Sequence, residues 1–499
     1  MELGVVEILI GMALLFLGFY YYLTSNFDFW KKRQVLGPKP IPIFGNFKDV
    51  ILGNINPALL VQKFYDEFKN EQFIGLFSRS SPSLMIKDPD LIRDVLIKDF
   101  NVFADRAVAS IPKNDPFSEN LLNLEHERWR PLRNRLSPIF TSGKLKDMFY
   151  LMVDCAQNLE EYVNELVKKD QPVECRELSA KFTTDSIGAC AFGLNTNALH
   201  DENSEFRRFG RDLFASTLKN KFRRLLRELF PKLYAISGQW LQNDATLFFI
   251  RSIKETTEYR KKNKVRRNDF VDLLMDLQNQ PEKLSTFEFT DSLLTAQALV
   301  FFIAGFETSS TTISNALYEL AFHQDEQDKL REEIISELKK NENKLTYESI
   351  KSMKYLDKVV KESLRKYPPG SILRRTSLAP YTFYGSKVTI PKHTPVLIPV
   401  WAIHRDPEIY PNPGEFDPER FSEENEKSRH PMHYLPFGDG PHNCIGARFA
   451  KYQTKIGIVA IINKFKVDVC DKTCRTYFIE NRSIIPTPVG GIHLKITKL

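Results

Sequence analysis

The spacing of apolar residues predicts a mainly helical fold with small β-sheets, preceded by a helix that crosses a membrane. Three observations carry this reading. Residues 3–23 are apolar or aromatic except for Glu7, and about twenty such residues cross a bilayer. Helical patterns dominate residues 145–260, and a further helix of about thirty residues begins at Thr290 or Asp291. Strand-like runs are short and lie at 73–87, after Pro368-Pro369, and at the carboxyl end.

The chain has 499 residues, 42% of them hydrophobic and 12% aromatic, with 38 Phe. That suffices for a large core and suits an apolar cavity. No flexible linker divides it after residue 45, so 46–499 reads as one domain behind an anchor (1–25) and a basic, proline-rich linker (26–45). Net charge is +7, and the basic residues form no nucleic-acid-binding motif, so no nucleic acid partner is expected. The six cysteines show no paired CxxC, and Cys470 and Cys474 lack nearby histidines for a zinc site. Free thiols in a reducing compartment follow.

In chain order, Glu2 and Glu7 stand where a cleaved signal peptide would carry Lys or Arg, which favours an anchor. Lys31-Lys32-Arg33 then places the rest of the chain in the cytosol. Pro38, Pro40 and Pro42 make a stiff, extended spacer. Residues 57–69 read as helix, 73–87 as a hairpin, and 89–98 as a helix capped by Asp88. Residues 105–120 have no clear period and read as a long loop. Helix resumes over 125–137, where Trp129 and Arg133 share a face and can both reach a carboxylate. The basic amphipathic stretch 213–236 suits a membrane surface, although a solvated face over a core stripe fits equally. A helix over 353–366 carries Glu362 and Arg365, which periodicity alone puts on its solvated side. Residues 478–499 read as a hairpin turning at Gly490-Gly491.

Two motifs carry chemistry. Nearly uniform apolarity over 293–304 predicts a helix buried on all sides, continuing past Gln324. Inside it lies Ala304-Gly305-Phe306-Glu307-Thr308. Gly305 costs about 1 kcal/mol against Ala and leaves room for a ligand or a neighbouring helix. The Thr308 hydroxyl, one turn after Ala304, can bond the Ala304 carbonyl or pass on a proton. The second motif is Phe437-Gly438-Asp439-Gly440-Pro441-His442-Asn443-Cys444-Ile445-Gly446. Its glycines and proline forbid regular structure, so Cys444 sits on a loop entering a helix, where N–H groups and the helix dipole favour a thiolate. Gly440 and Gly446 would let a large planar group approach the backbone.

This second motif resembles the haem-binding loop of the cytochrome P450 family, in which a Cys thiolate holds the haem iron. The resemblance spans about residues 30–499 and implies the cytochrome P450 fold, with 46–499 as its haem-binding catalytic domain. It makes Cys444 the ligand of haem b iron and places Phe437, Gly438, Gly446, Ala304 and Gly305 against the haem. Trp129, Arg133 and Arg375 would meet the haem propionates. His442 stands where the family most often has an arginine for the same task, and its charge depends on pH. Thr308 would hold a water and Glu307 relay protons from bulk. Glu362 and Arg365 become a buried pair joined by Arg420, and substrate contacts fall to Phe117, Phe301, Ala304, Pro369, Ile372, Leu373 and Ile484.

The same resemblance implies electrons from NADPH through cytochrome P450 reductase, with cytochrome b5 as a second donor. O2 and a hydrophobic molecule would be substrates, at the cytosolic face of the endoplasmic reticulum membrane. The pattern looks most like insect microsomal enzymes that oxidise plant toxins or insecticides. A hydroxylase of one endogenous lipid or hormone is the alternative enzyme. A non-catalytic haem-thiolate binding protein is the alternative of another class, and it would have no use for Glu307 and Thr308.

Overall fold

The structure is a computed structural model that describes residues 4–106, 116–214, 217, 219–220, 222–223, 226, 233–234, 244–267, 269–279 and 287–499. Most of 213–236 and residues 107–115 of the expected loop lie outside the described residues. The chain divides into two compact units where the sequence predicts one domain. The first comprises Met1–Ala107, Gly370–Ile409 and His430–His442; the second Val108–Pro369, Tyr410–Arg429 and Asn443–Leu499.

In the first unit the helix Val5–Thr24 is apolar and long enough to cross a membrane, and none of its apolar stretch is buried. The segment after it is no spacer. Phe27 packs on Phe77 with ring centroids 5.4 Å apart, and the buried Trp30 donates its indole N–H to the Leu76 carbonyl at 2.9 Å. Gly37 passes so close to the Gly75 carbonyl oxygen that a Cβ would lie 1.9 Å from it. Trp30 and Val35 thus join the core, with Phe27 and Phe29 packed against it, while Leu36, Ile41 and Ile43 stay exposed. That core covers a four-stranded sheet, ordered Phe73–Ser78, Ser81–Ile86, Pro395–Ile398, Leu373–Thr376. The expected hairpin forms in register from Phe73↔Ile86 to Ser78↔Ser81. Asp88 caps the next helix by accepting from the Leu91 N–H at 3.0 Å.

The second unit is mainly helical. At its centre is the helix Asp291–Phe322, capped by the Thr290 hydroxyl and packed on the helices Cys175–Ile187 and Ala447–Ile462. It stops before Gln324. His323 leaves helical geometry at φ −117° and ψ 78°, and a separate helix runs Gln324–Lys340. The carboxyl end also differs from expectation. His493–Lys498 pairs with Phe465–Asp468 and with Val173–Glu174, whereas 478–489 closes on itself through the bridge Ile479↔Pro488. Gly490 and Gly491, both at φ +80°, turn the chain from one to the other.

Candidate functional site

Cys444 lies just before the helix Ala447–Ile462, whose N-cap is Gly446. Its sulfur is accessible to solvent yet crowded by protein, as in a recess. Burial pushes the thiol above its usual pKa, while the Gly446 N–H bonded to the sulfur and the nearby Arg133 charge pull it down. A cation at the sulfur would reverse that net rise and favour the thiolate. Arg133, on the helix His126–Leu136, donates to Asn443 Oδ1 at 2.7 Å, and Trp129 is buried one turn before it.

Ala304 is exposed in the middle of a helix that is otherwise largely buried, and Thr308 is half-buried one turn later. The Thr308 hydroxyl donates to the Ala304 carbonyl at 2.7 Å. Gly305 faces elsewhere. A Cβ there would meet Ile187 Cδ1 at 2.7 Å, so this glycine serves close packing of two helices and makes no room for a ligand. The buried Glu307 carboxylate is held by Arg176, a half-exposed residue on that same neighbouring helix. The Phe301 ring packs on Phe270 (4.4 Å), Phe140 (5.0 Å) and Phe449 (6.2 Å) and is half-buried, so part of it serves packing.

Glu362 and Arg365 are both 0% exposed and joined by two bonds of 2.7 Å. Arg365 donates further to the Pro413 and Glu415 carbonyls, and Glu362 accepts from the Asp417 N–H. Arg420 Nε stands 3.5 Å from Glu362 Oε1. Burial pushes the Glu362 carboxyl above its usual range against the pull of these donors. Helical periodicity misplaced the pair because this helix is covered on a second side by residues 410–421.

In the first unit Arg375, on the strand Leu373–Thr376, is 2% exposed, and burial lowers its pKa to about 10. Its guanidinium donates to the Arg374 carbonyl at 2.8 Å and meets no carboxylate among the described residues. His442 is buried, donates Nε2–H to the Ala104 carbonyl at 2.9 Å, and lies against the Phe100 ring. That imidazole N–H is therefore spent on the protein. Arg106 reaches the His442 carbonyl at 3.1 Å. Gly440, at φ +71°, brings the loop within 1.9 Å, Cβ to oxygen, of the Leu96 carbonyl, so its close approach is to protein backbone.

A sequence model of the cytochrome P450 family matches residues 35–495. The chain belongs to the cytochrome P450 family. It is 39% identical to cytochrome P450 6k1 of Blattella germanica, over 99% of this chain and 97% of that protein. It is 40% identical to the probable cytochrome P450 6a14 of Drosophila melanogaster, over 100% and 99%, and 40% identical to cytochrome P450 6A1 of Musca domestica, over 95% of each. The protein is thus a cytochrome P450 monooxygenase with a haem-thiolate iron cofactor, using O2, hydrophobic substrates and a redox partner.

The residues of this P450 fit that cofactor. Arg375 Nε is buried with no hydrogen-bond partner, and an uncompensated buried charge costs several kcal/mol unless an anion such as a propionate meets it. A Cβ on Gly446 would find only Phe140, at 3.8 Å, so the backbone beside Cys444 is open to a flat group. Phe437 is half-buried, and Gly438 takes φ +67° in the loop. Of the expected substrate contacts, Ile372 and Leu373 are half-buried against the first unit's core, and in the second unit Phe117 and Pro369 are half-buried while Ile484 is 61% exposed on the 478–489 hairpin. Sequence reasoning missed Arg106, Asn443, Arg176 and Gln297, whose side-chain amide clamps the Glu119 carbonyl and the Leu121 N–H at 2.7 Å each. Asn443 lies inside the Cys444 motif but its bond to Arg133 does not show there, and the other three belong to no motif, so only contact reveals them.

Proposed function

We propose that this P450 oxidises hydrophobic foreign molecules, plant toxins and insecticides among them, at the cytosolic face of the endoplasmic reticulum. Its electrons would come from NADPH–cytochrome P450 reductase, with cytochrome b5 as an accessory donor. The observation that carries the substrate class is Ala304. A bare methyl, exposed mid-helix beside a single hydroxyl, selects by shape and apolarity and gives a polar substrate nothing to bond. The resemblance to insect detoxification enzymes favours foreign over endogenous molecules.

Bound haem-thiolate iron supplies the activation of O2, placing one oxygen atom in the substrate and the other in water with two electrons and two protons. The chain's own residues hold the cofactor and the protons. Cys444 ligates through a sulfur whose negative charge Gly446 N–H and Arg133 stabilise. Arg375, Arg133 and Trp129 would hold the propionates. Because the Thr308 proton is given to Ala304, its lone pairs are left to accept from a water held against the helix. Glu307, held in place by the ion pair with the half-exposed Arg176, would take protons from bulk water on its own carboxylate and pass them inward.

The test is to express the chain with its reductase in microsomes and follow depletion of a mixed panel of plant toxins, insecticides, sterols and fatty acids, with and without NADPH. Oxygenated products from several unrelated toxins support the proposal. Consumption of one endogenous lipid or hormone alone would replace it with the biosynthetic reading. Thr308→Ala should keep haem and release more hydrogen peroxide per NADPH; unchanged coupling would remove Thr308 from the proton path.

A further inference from the structure

The long helix does more than face the reaction. Beyond Thr308 it carries Asn315, Tyr318 and Glu319, all buried, and two of them hold the base of the carboxyl-terminal hairpin. Tyr477 Oη donates to Asn315 Oδ1 at 2.9 Å, and Tyr318 Oη donates to the Cys474 carbonyl at 2.9 Å. The Tyr477 ring lies 5.7 Å from Tyr318 and 4.5 Å from Tyr367, whose hydroxyl in turn bonds Glu319. Directly after this clamp the hairpin closes, through Glu480 N–H to the Thr487 carbonyl and Val489 N–H to the Phe478 carbonyl, each 2.8 Å. Its tip carries the exposed Ile484.

A two-stranded hairpin on its own is marginal. Ties at its base therefore help to hold its tip in one position. Here the base is tied by tyrosine hydroxyls to the same rigid helix that presents Ala304 and Thr308, about two to four turns away. We propose that Tyr477, seconded by Tyr318, is a positioning residue for substrate: it fixes the tip of the 478–489 hairpin relative to Ala304 and so sets which carbon of the substrate is oxidised. The inference rests on the reading of Ile484 as a substrate contact.

Tyr477→Phe removes one hydroxyl and keeps the rings in contact. In the full chain with haem bound, amide hydrogen exchange at Glu480 and Val489 should quicken about fivefold, the effect of one net hydrogen bond, while melting temperature and the thiolate-haem carbonyl spectrum stay unchanged. With the most depleted compound of the panel, the ratio of product regioisomers and KM should change more than kcat, and Ile484→Ala should shift the same ratio. Unchanged exchange at both amides overturns the anchor. If Ile484→Ala alters the product ratio and Tyr477→Phe does not, the positioning role fails alone. If neither alters it, the substrate contact fails and the proposal with it.

Discussion

Two arginines, ten positions apart in sequence, are almost completely buried and have opposite surroundings. Arg365 spends its guanidinium on both oxygens of Glu362 and on the Pro413 and Glu415 carbonyls. Arg375 has the Arg374 carbonyl and no carboxylate among the described residues, and burial drags its pKa down to about 10. A charge that the fold completes is part of the scaffold. One that the fold leaves short of an anion would serve as a binding group, as proposed for Arg375, kept at a cost until its ligand arrives.

The contrast can be broken most directly at Glu362. Glu362→Ala leaves Arg365 buried without its carboxylate and should destabilise the protein by about 3–5 kcal/mol. Little folded chain with a thiolate-haem carbonyl spectrum should then accumulate. Arg375→Leu should act in the opposite sense on the haem-free chain, holding or raising its unfolding free energy. Haem should then transfer to an acceptor globin about ten- to a hundredfold more readily, as expected for one charge-assisted bond. A haem-free Arg375→Leu chain as unstable as Glu362→Ala would make both arginines scaffold.

Between these extremes lies Asp357, which burial pushes up but Lys455 and Lys361 pull down to about 2. Its folded pKa is depressed, so its contribution, about 2 kcal/mol, is present above pH 4 and is lost as pH falls toward 2. Asp357→Asn should therefore lower stability at pH 7 and converge with the parent near pH 2, as read from denaturant melts. At the exposed end, Lys69→Ala removes a solvated pair with Glu408 and should leave the denaturant melt where the parent's lies.

Much of this was legible beforehand because it rests on local spacing. Cys444 on a loop before a helix, the Thr308 bond to Ala304 and the Asp88 cap each follow from residues within a turn of one another. Sequence leaves Gly305 open between a ligand and a neighbouring helix, and reads Gly440 as facing a planar group, for the converse reason. What Gly305 and Gly440 must approach, Ile187 and the Leu96 carbonyl, is more than a hundred positions distant, and no local pattern records it. The packing of Phe301 is hidden likewise, since its three ring partners come from separate segments. The stretch 26–45 reads as a linker because its prolines report backbone stiffness, whereas the burial of Trp30 and Val35 depends on strands far along the chain.

That burial has a practical consequence for detaching the enzyme from lipid. The hydrophobic helix ends at Thr24 and Phe27 already touches Phe77, so the window for a clean cut is about three residues wide. A chain begun at 26 would keep its whole aromatic clasp. One begun at 46 would bare the Leu76 carbonyl and the groove of Gly75, and should precipitate although nothing near Cys444 had been touched.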